Sequence, residues 1–328
     1  MATLLVLGGT SFVGRHLTEA ALAAGHEVTH FNRGRTNPGL FPSVQHLPGD
    51  RESGDYDALR GGEWNAVVDV SAYYPRQVRQ VAEALDGRVG HYTFVSTVSV
   101  YAPSDEPVDE TSPLLDTAPG VGTEEVTGET YGPLKVLCEK VARELFPGAT
   151  VVRPGIVAGT HDPTGRFTAW VRRMTRPGPV LSSRPDGPVQ VVHARDLADV
   201  MLRATEQRLA ETFNAVGPTS DGVTMSEVIA TCATAAGVDE PEVVWVDESF
   251  VVDNEIPLPL FLPRSAGRDG MFHASCRRAE SLGRTNRPLL DTARDTLAWL
   301  TSADEPGVHV ELLSAEREAQ ALAAWTTR

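Results

Sequence analysis

The residues best suited to chemistry are a tyrosine and a lysine four positions apart, Tyr131 and Lys135. Side chains at this spacing lie on one face of a helix. Because an ammonium group lowers the pKa of a nearby phenol, Tyr131 is expected to act as an acid or a base near neutral pH. Only two of the 29 lysines and arginines are lysines, Lys135 and Lys140, so this pair is unusual in the chain. The alternative is a surface tyrosine beside a helix lysine.

A cluster of hydroxyl side chains follows the predicted strand His91–Ser96. We expect Thr97, or alternatively Ser96, to lie at the carboxyl edge of a parallel sheet, where ligands of such sheets bind. A hydroxyl group there can hydrogen-bond to a substrate carbonyl while Tyr131 supplies the proton. The alternative is that the cluster only reflects the composition of a strand end.

A glycine-rich turn follows the first predicted strand and leads directly into a helical pattern. This order is the context of a dinucleotide-binding fingerprint, in which the N–H groups and the positive dipole of a helix N-terminus face a pyrophosphate. Ser11 stands where a glycine usually lets the phosphates approach, so its Cβ is expected to crowd them unless its hydroxyl donates to them. An ordinary strand-to-helix turn is the alternative. The residues expected to contact the cofactor are Gly8, Thr10, Ser11, Phe12, Val13 and Gly14.

The end of the second predicted strand indicates which dinucleotide is bound. A carboxylate at this point would hold a ribose 2′-hydroxyl and favour NAD(H). Asn32 occupies the position, and Arg33 and Arg35 follow it. Guanidinium groups suit a 2′-phosphate, so the sequence favours NADP(H) over NAD(H), against the alternative of two solvated surface arginines. Asp50, after the third predicted strand, is expected to reach an adenine amino group or to serve as a turn acid.

Short β-rich runs and helical patterns alternate through the first half of the chain. Alternation of this kind predicts an α/β fold with a doubly wound parallel (Rossmann) sheet whose faces are covered by helices. The predicted strands are Thr3–Leu7, Glu27–Phe31, Val44–Leu47, Ala66–Val70, His91–Ser96 and Thr150–Arg153, and the predicted helices are Phe12–Ala24, Pro75–Leu85 and Glu129–Leu145.

The alternation loosens after Pro154, where proline and glycine become frequent. We expect residues 1–155 to form a dinucleotide-binding domain, completed by segments near 189–217, and residues 156–328 to form mainly a smaller C-terminal substrate-binding domain. The proline-rich stretch 256–263 is predicted to be neither helix nor central strand. The predicted strands here are Val189–Val192 and Phe213–Val216, and the predicted helices are Arg195–Gln207, Thr224–Ala236, Leu289–Leu300 and Val310–Trp325.

Composition disfavours several classes of function. The 328 residues carry a net charge of −15, which opposes binding to the phosphate backbone of a nucleic acid. No apolar stretch reaches the roughly 18 residues of a membrane span, and the first residues lack a secretory signal pattern. The three cysteines form no paired framework, and the nine histidines show no metal-binding spacing. We therefore expect a cytoplasmic protein without a metal, a nucleic-acid partner or a membrane partner.

Several of these features occur in the order typical of one family. The glycine turn, the hydroxyl residues before a Val-Tyr pair, the Tyr131–Lys135 spacing and Arg153-Pro154 at a strand end resemble the extended short-chain dehydrogenase/reductases, an NAD-dependent epimerase/dehydratase family. The resemblance covers residues 2–217 and implies a homodimer. The catalytic set that it implies is Thr97, Tyr131 and Lys135. The residues that it implies near the nicotinamide are Pro154 and Ile156.

Two departures from the patterns of that family reduce the number of reactions that the protein is expected to catalyse. Its sugar-nucleotide dehydratases follow the catalytic threonine with Asp-Glu, whereas Val98 and Ser99 follow Thr97 here, so elimination of water is disfavoured. Its nucleotide-sugar epimerases hold the diphosphate with an arginine on the strand before an HxxDLA motif, where Val189 stands here. The arginines that could replace it are Arg166, Arg172, Arg173 and Arg184. The aromatic residues expected either to line an apolar pocket or to lie in the core are Tyr73, Tyr74 and Trp170.

Three functions follow from these observations. The first is an NADP(H)-dependent oxidoreductase that reduces a carbonyl, or oxidises an alcohol, of a small metabolite by hydride transfer. The second is an NAD-dependent nucleotide-sugar epimerase with the same catalytic set. The third is a nucleotide-sensing or RNA-binding protein on the same fold without chemistry, which Ser11 favours and the net charge of −15 disfavours. The expected partner is a small-molecule carbonyl or sugar substrate.

Overall fold

A seven-stranded parallel sheet forms the first part of the protein. The computed structural model describes residues 1–217, 222–302 and 312–328. The strand order is β3-β2-β1-β4-β5-β6-β11, and all neighbours are parallel. The sheet is thus doubly wound, as the sequence predicts. Its strands are β1 (Thr3–Leu7), β2 (Glu27–Asn32), β3 (Gln45–Pro48), β4 (Ala66–Asp69), β5 (Tyr92–Val95), β6 (Thr150–Pro154) and β11 (Thr212–Ala215).

Helices cover both faces of this sheet, because consecutive side chains of a strand point to opposite faces. Two helices lie on each face: α1 (Phe12–Ala23) and α5 (Ala194–Glu206) on one, α2 (Pro75–Leu85) and α3 (Tyr131–Leu145) on the other. Leu4 and Val6 of β1 pack with α1 and α5, whereas Leu5 and Leu7 pack with α2 and α3. Burial on both faces explains why β1 is apolar throughout instead of alternating.

The remaining elements build a second, smaller core. Three two-stranded ladders contribute to it: β7 with β10 and β8 with β13 are parallel, and β9 with β12 is antiparallel. Trp170, Ile229 and Ala293 share one buried apolar cluster here. In the described ranges, no helix combines the length and the apolar character needed to cross a bilayer. The elements are β7 (Ile156–Ala158), α4 (Thr168–Met174), β8 (Val180–Ser183), β9 (Pro188–Val189), β10 (Val191–His193), β12 (Val223–Thr224), α6 (Met225–Ala235), β13 (Val243–Val246), α7 (Glu248–Asp253), α8 (Arg277–Ser281), α9 (Leu289–Leu300) and α10 (Ala315–Thr326).

The prediction of one strand over Val189–Val192 is wrong. The structure divides this run at Gln190 into β9 and β10, which pair with different partners. The buried Gln190 amide exchanges hydrogen bonds with the backbone of Ala274, from Nε2 to the carbonyl at 3.2 Å and from the Ala274 N–H to Oε1 at 3.1 Å. Gln190 therefore lies between two strands with different partners, and an apolar pattern alone cannot indicate this division.

Helix ends differ from the predictions where a turn or a cap intervenes. Helix α3 begins at Tyr131 instead of Glu129, because the Thr130 hydroxyl accepts a 2.8 Å hydrogen bond from the Thr127 N–H and closes a turn before it. Ser314 caps α10, which begins at Ala315. Residues 310 and 311 of the helix predicted there lie outside the described residues.

Candidate functional site

Two adjoining cavities open along the carboxyl edge of the seven-stranded sheet, where doubly wound folds bind their ligands. The larger, of about 470 Å³, lies at the ends of β5 and β6, and the smaller, of about 260 Å³, lies at the ends of β2 and β3. Tyr73 lines both, so the cavities adjoin at its ring. Trp170 instead belongs to the core, since its buried Nε1 donates to the carbonyl of Pro259 at 3.0 Å. Tyr74 precedes α2 as its N-cap.

The predicted cofactor residues divide between the two cavities. The smaller one is lined by Gly8, Thr10, Ser11, Asn32, Arg33, Arg35 and Asp50. The larger one is lined by Phe12, Val13, Pro154 and Ile156, and also by Thr97, Tyr131 and Lys135. Gly14 is buried beneath the turn. The structure therefore brings the residues together along one groove, and their roles stay predictions.

The glycine turn has the backbone shape that lets a phosphate approach closely. Gly8 has a φ of +118°, and a Cβ there would lie 2.8 Å from the Val70 side chain. A Cβ at Gly14 would lie 2.8 Å from the backbone nitrogen of Gly9. Ser11 has a φ of −134°, an extended value that any residue adopts. The backbone thus accepts the serine at a position where the fingerprint usually has glycine.

In the smaller cavity, two arginines have no ion-pair partner and one amide nitrogen has no hydrogen-bond partner among the described residues. Asn32 accepts a hydrogen bond from the backbone N–H of Gly34 at 2.8 Å, whereas its own Nδ2 is buried without a partner. An unsatisfied buried donor is costly, and a ligand oxygen would satisfy it. Arg33 and Arg35 are exposed, and neither forms an ion pair within the described ranges. Asp50 accepts a hydrogen bond from the N–H of residue 52 at 3.0 Å, which is the contact of a turn acid.

A buried ion pair between Arg51 and Asp69 supports the middle of the groove, and sequence analysis missed it. Two guanidinium nitrogens lie 2.6 and 2.8 Å from the two carboxylate oxygens. Asp69 also accepts hydrogen bonds from the Tyr92 hydroxyl at 2.8 Å and from the N–H groups of Ser71 and Ala72. Burial acts to raise the pKa of Asp69, but the charge and hydrogen bonds of Arg51 hold it below its ordinary value. The pair is neutral overall and fixes the segment that follows β4.

The three predicted catalytic side chains meet in the larger cavity. Thr97 follows β5 and lines this cavity together with Tyr131, and its hydroxyl donates to the Ser99 hydroxyl at 3.2 Å. Lys135, one turn further along α3, is buried, and its Nζ donates to the carbonyls of Ala72 at 2.9 Å and Val95 at 2.6 Å. These two contacts hold the ammonium group at the wall of the groove. A proton donor, a hydroxyl and a fixed cation thus surround one space.

The expectation that Lys135 lowers the pKa of Tyr131 is wrong. Burial raises the pKa of this phenol above its ordinary value, and the neighbouring phenol of Tyr73 adds to the rise. The side chain of Thr97 and the charge of Arg166 act to lower this pKa without cancelling the rise. Lys135 has its ammonium group turned to backbone carbonyls instead, and burial lowers its own pKa. Tyr131 is therefore a protonated acid at neutral pH.

A second buried network anchors the helix that carries Tyr131 and Lys135. Ser96, the alternative to Thr97, donates its hydroxyl to Glu139 of α3 at 2.5 Å. The Glu139 carboxylate also accepts hydrogen bonds from Nε and Nη2 of Arg153 at 2.9 and 2.8 Å. These contacts connect α3 to β5 and β6. Ser96 is thereby committed to the scaffold, and Thr97 is the hydroxyl next to the phenol.

One of the four arginines expected to replace the diphosphate ligand faces the groove. Arg166 lines the larger cavity. Arg173 is held by the carboxylate of Glu318 at 2.7 Å, and Arg184 by that of Asp269 at 2.6 Å. The described lining does not include Arg172. The groove therefore offers one arginine near Tyr131 instead of a cluster.

The described residues fit a dinucleotide. The N-terminus of α1 lies where the two cavities adjoin, with the glycine turn in the smaller one and Phe12 and Val13 in the larger. Such a terminus presents N–H groups and a positive dipole to a pyrophosphate. Asn32, whose buried Nδ2 has no partner among the described residues, lines the smaller cavity, where a nucleotide ribose would lie. The larger cavity would then hold a nicotinamide beside Lys135 and Tyr131.

Comparisons with known proteins agree with this architecture. UDP-glucose 4-epimerase of Thermus thermophilus, solved in complex with NAD, is 20% identical, with a TM-score of 0.66 over 92% of this chain and 99% of that one. UDP-glucuronic acid 4-epimerase of Bacillus cereus, also solved with NAD, is 16% identical, with a TM-score of 0.66 over 91% and 96% of the two chains. At these identities the likeness shows the fold.

A relative and a family model extend the comparison to the sequence. The chloroplast stem-loop binding protein of 41 kDa b from Arabidopsis thaliana is 27% identical over 300 residues, which span 84% of this chain and 73% of that protein. The model of the NAD dependent epimerase/dehydratase family matches residues 4–55 and 63–217. Since this match covers more than half of the chain, the protein belongs to the NAD dependent epimerase/dehydratase family.

Proposed function

We propose that the protein is an NADP(H)-dependent oxidoreductase that reduces the carbonyl group of a small metabolite. One observation carries the proposal: Tyr131, Thr97 and Lys135 line one cavity, and this cavity adjoins a second one that is lined by the glycine turn. A nicotinamide cofactor, when bound, supplies the hydride. The residues of this chain then have to orient the carbonyl and protonate its oxygen.

Each member of the catalytic set has a distinct task in this proposal. Thr97 donates a hydrogen bond to the carbonyl oxygen and fixes its direction. Tyr131 transfers its phenolic proton to that oxygen as negative charge develops on it. Lys135, held by two backbone carbonyls, supplies a fixed positive charge and a further N–H beside the nicotinamide ribose.

The pKa of Tyr131 favours reduction over oxidation. A phenol whose pKa lies above its ordinary value is protonated at neutral pH and serves as an acid. Oxidation of an alcohol would need the same group as a base, in its minor ionised form. The raised pKa therefore suits Tyr131 to the role of acid in carbonyl reduction.

The smaller cavity supports NADP(H) over NAD(H). Arg33 and Arg35 line it without ion-pair partners in the described parts of the chain, and the position of a ribose-binding acid is held by Asn32. Unpaired guanidinium groups next to a ribose site attract a 2′-phosphate. Two of the solved neighbours are complexes with NAD. The preference for NADP(H) is therefore our proposal and rests on Asn32, Arg33 and Arg35.

A nucleotide-sugar epimerase is the second candidate, because the solved neighbours include UDP-sugar 4-epimerases. Such an enzyme returns the hydride to the same substrate and retains its NAD. An RNA-binding role is a third, suggested by the name of the Arabidopsis relative and opposed by the net charge of −15. The epimerase would use the same catalytic set without releasing a reduced product. The RNA-binding role would not use Tyr131 as an acid at all.

Turnover with a labelled cofactor separates the candidates. The purified protein is incubated with NADPH deuterated at C4 and a panel of aldehydes, ketones and oxo acids, and products are examined by mass spectrometry. The proposal predicts an alcohol with one deuterium and many equivalents of NADP⁺ per protein. In a parallel incubation with UDP-glucose and NAD⁺, conversion of the sugar without net reduction of NAD⁺ would identify the epimerase, and stem-loop RNA binding without turnover in either incubation would identify the third candidate.

A further inference from the structure

The substrate end of the larger cavity identifies a class of substrate. We propose that Arg166 binds the carboxylate of an otherwise apolar oxo acid, whose carbonyl group lies at Tyr131. This inference rests on the proposed function and names the compounds that the same site would take. It differs from the nucleotide sugars of the solved neighbours, which carry a diphosphate and a polar sugar.

The wall opposite the catalytic set is apolar. It is formed by the proline-rich segment 257–262 and by side chains from residues 271, 272 and 312. Leu258 and Phe272 are buried there, and Leu260 and Phe261 are half-buried. The amide of Gln190 also reaches the cavity, but it is hydrogen-bonded to the backbone of residue 274. Such a wall favours a hydrocarbon or aromatic body over a hydroxylated sugar.

The charges around the cavity are all positive within the described residues. Its lining contains Lys135 and Arg166 and no aspartate or glutamate, although the chain has 44 acids against 29 bases. Lys135 donates two hydrogen bonds to backbone carbonyls. Arg166 has a 3.4 Å contact from Nε to the Thr164 hydroxyl, and its charge also acts on the buried carboxylate of Asp162, with which it forms no ion pair in the described ranges. Its terminal nitrogens are therefore available for a bidentate bond to a carboxylate.

The same arginine lies near the reacting group. Arg166 and Tyr131 line the same cavity, and the charge of Arg166 acts to lower the pKa of that phenol. An anion bound by Arg166 would thus lie a short distance from a carbonyl oxygen held by Tyr131 and Thr97. Arg173 and Arg184, which a diphosphate would need as further ligands, are committed to Glu318 and Asp269. One anionic charge, not two, matches this arrangement.

The role of Arg166 as a carboxylate ligand can be tested with two compounds that have no aldehyde or ketone group to reduce and differ in charge. Calorimetry with NADP⁺ present, and again without it, compares 4-phenylbutanoate with its neutral amide, which has nearly the same shape. We expect the wild-type protein to bind the acid at least tenfold more tightly than the amide. Arg166→Gln should bring the ratio close to one, and Arg166→Lys should retain part of it. Arg79→Gln removes another exposed, unpaired arginine outside the cavities and should retain the full ratio.

The outcomes separate this inference from the proposed function. Equal affinity for acid and amide, no binding of either, or a preference that survives in Arg166→Gln would overturn the assignment of Arg166. Tighter binding of UDP-glucose than of the acid would also overturn the substrate class. Selective binding of the acid by a protein that reduces no carbonyl would leave the anion site standing and refute the reductase. Unchanged melting temperatures show that each variant is folded.

Discussion

The Nζ atom of Lys135 donates a 2.6 Å hydrogen bond to the carbonyl oxygen of Val95, the last residue of β5. Together with the bond to Ala72, this contact ties α3 to two strand ends of the sheet. The lysine therefore acts from a fixed position, and its buried charge faces the groove. Its effect on the reaction has to come from this position, because the pKa of Tyr131 lies above its ordinary value with Lys135 in place.

Replacement of Lys135 is expected to slow the reaction about 100-fold, in the range of a lost catalytic group. Lys135→Met keeps the length and burial of the side chain and removes the charge. NADPH oxidation at 340 nm measures the effect, with Lys140→Met as control, since Lys140 is the other lysine of the chain and is exposed on the same helix. Equal rates for the two variants would show that the buried charge has no part in the chemistry.

Tyr131→Phe is expected to lower kcat by a factor of about 10² to 10⁴ with little change in NADPH affinity. The raised pKa of Tyr131 keeps the phenol protonated above pH 7, so the reduction rate should stay level until about pH 10 and fall only beyond it. Stopped-flow rates across pH 6–11 check both points, with Tyr74→Phe as control. A fall centred between pH 7 and pH 8 would mean that another group is the acid.

The arginines of the smaller cavity are expected to select the cofactor. Arg33→Gln combined with Arg35→Gln should weaken NADPH binding by about tenfold or more, because each charge-assisted bond to a phosphate contributes roughly 1.5–3 kcal/mol. NADH has no 2′-phosphate, so its affinity should change little. Arg60→Gln, at an exposed site outside both cavities, is the control. An equal loss of affinity for both nucleotides would contradict the selective role.

Asp69→Asn is expected to lower the free energy of unfolding by about 3–5 kcal/mol, since it leaves the buried guanidinium of Arg51 uncompensated. Asp57→Asn is the matched control, because Asp57 pairs with Arg60 at the surface and such pairs contribute about 0–1 kcal/mol. Urea unfolding gives both values. A similar loss of unfolding free energy in the two variants would mean that the buried Arg51–Asp69 pair contributes no more to stability than a surface pair.

The same carboxylate predicts a loss of stability in acid. Its pKa in the folded protein lies below the ordinary value, so its contribution is complete above about pH 4, the value of an unfolded aspartate. The contribution is lost as the pH falls through the lower, folded pKa. The difference in stability between wild type and Asp69→Asn should therefore shrink below about pH 4.

Local patterns made much of this structure predictable. The apolar run of β1, the glycine turn and the helix after it are neighbours in sequence, and so are Tyr131 and Lys135. The buried pairs Arg51–Asp69 and Arg153–Glu139 were not predictable, because their members lie on different elements and single charged residues give no periodic signal. The available signal for Asp69 was an acid that ends a buried strand.

The different roles of Lys135 and Arg166 could not be predicted from the sequence either, because their contacts lie on other elements of the fold. The spacing of Tyr131 and Lys135 places them on one helix face but does not say where the ammonium group points. That direction depends on the carbonyls of Ala72 and Val95. Likewise, the sequence does not distinguish among the arginines from residue 166 to residue 184, and the partners Glu318 and Asp269 show that Arg173 and Arg184 are committed whereas Arg166 is not.

The most direct test of the account is the affinity of the purified, untreated protein for NADPH and for NADH, measured separately by nicotinamide fluorescence. The account predicts that NADPH binds reversibly and at least tenfold more tightly than NADH, and that no dinucleotide is retained through purification. Preference for NADH, or NAD retained by the protein, would contradict the role of Arg33 and Arg35 and support an epimerase. Failure to bind either nucleotide would refute oxidoreductase chemistry in this groove.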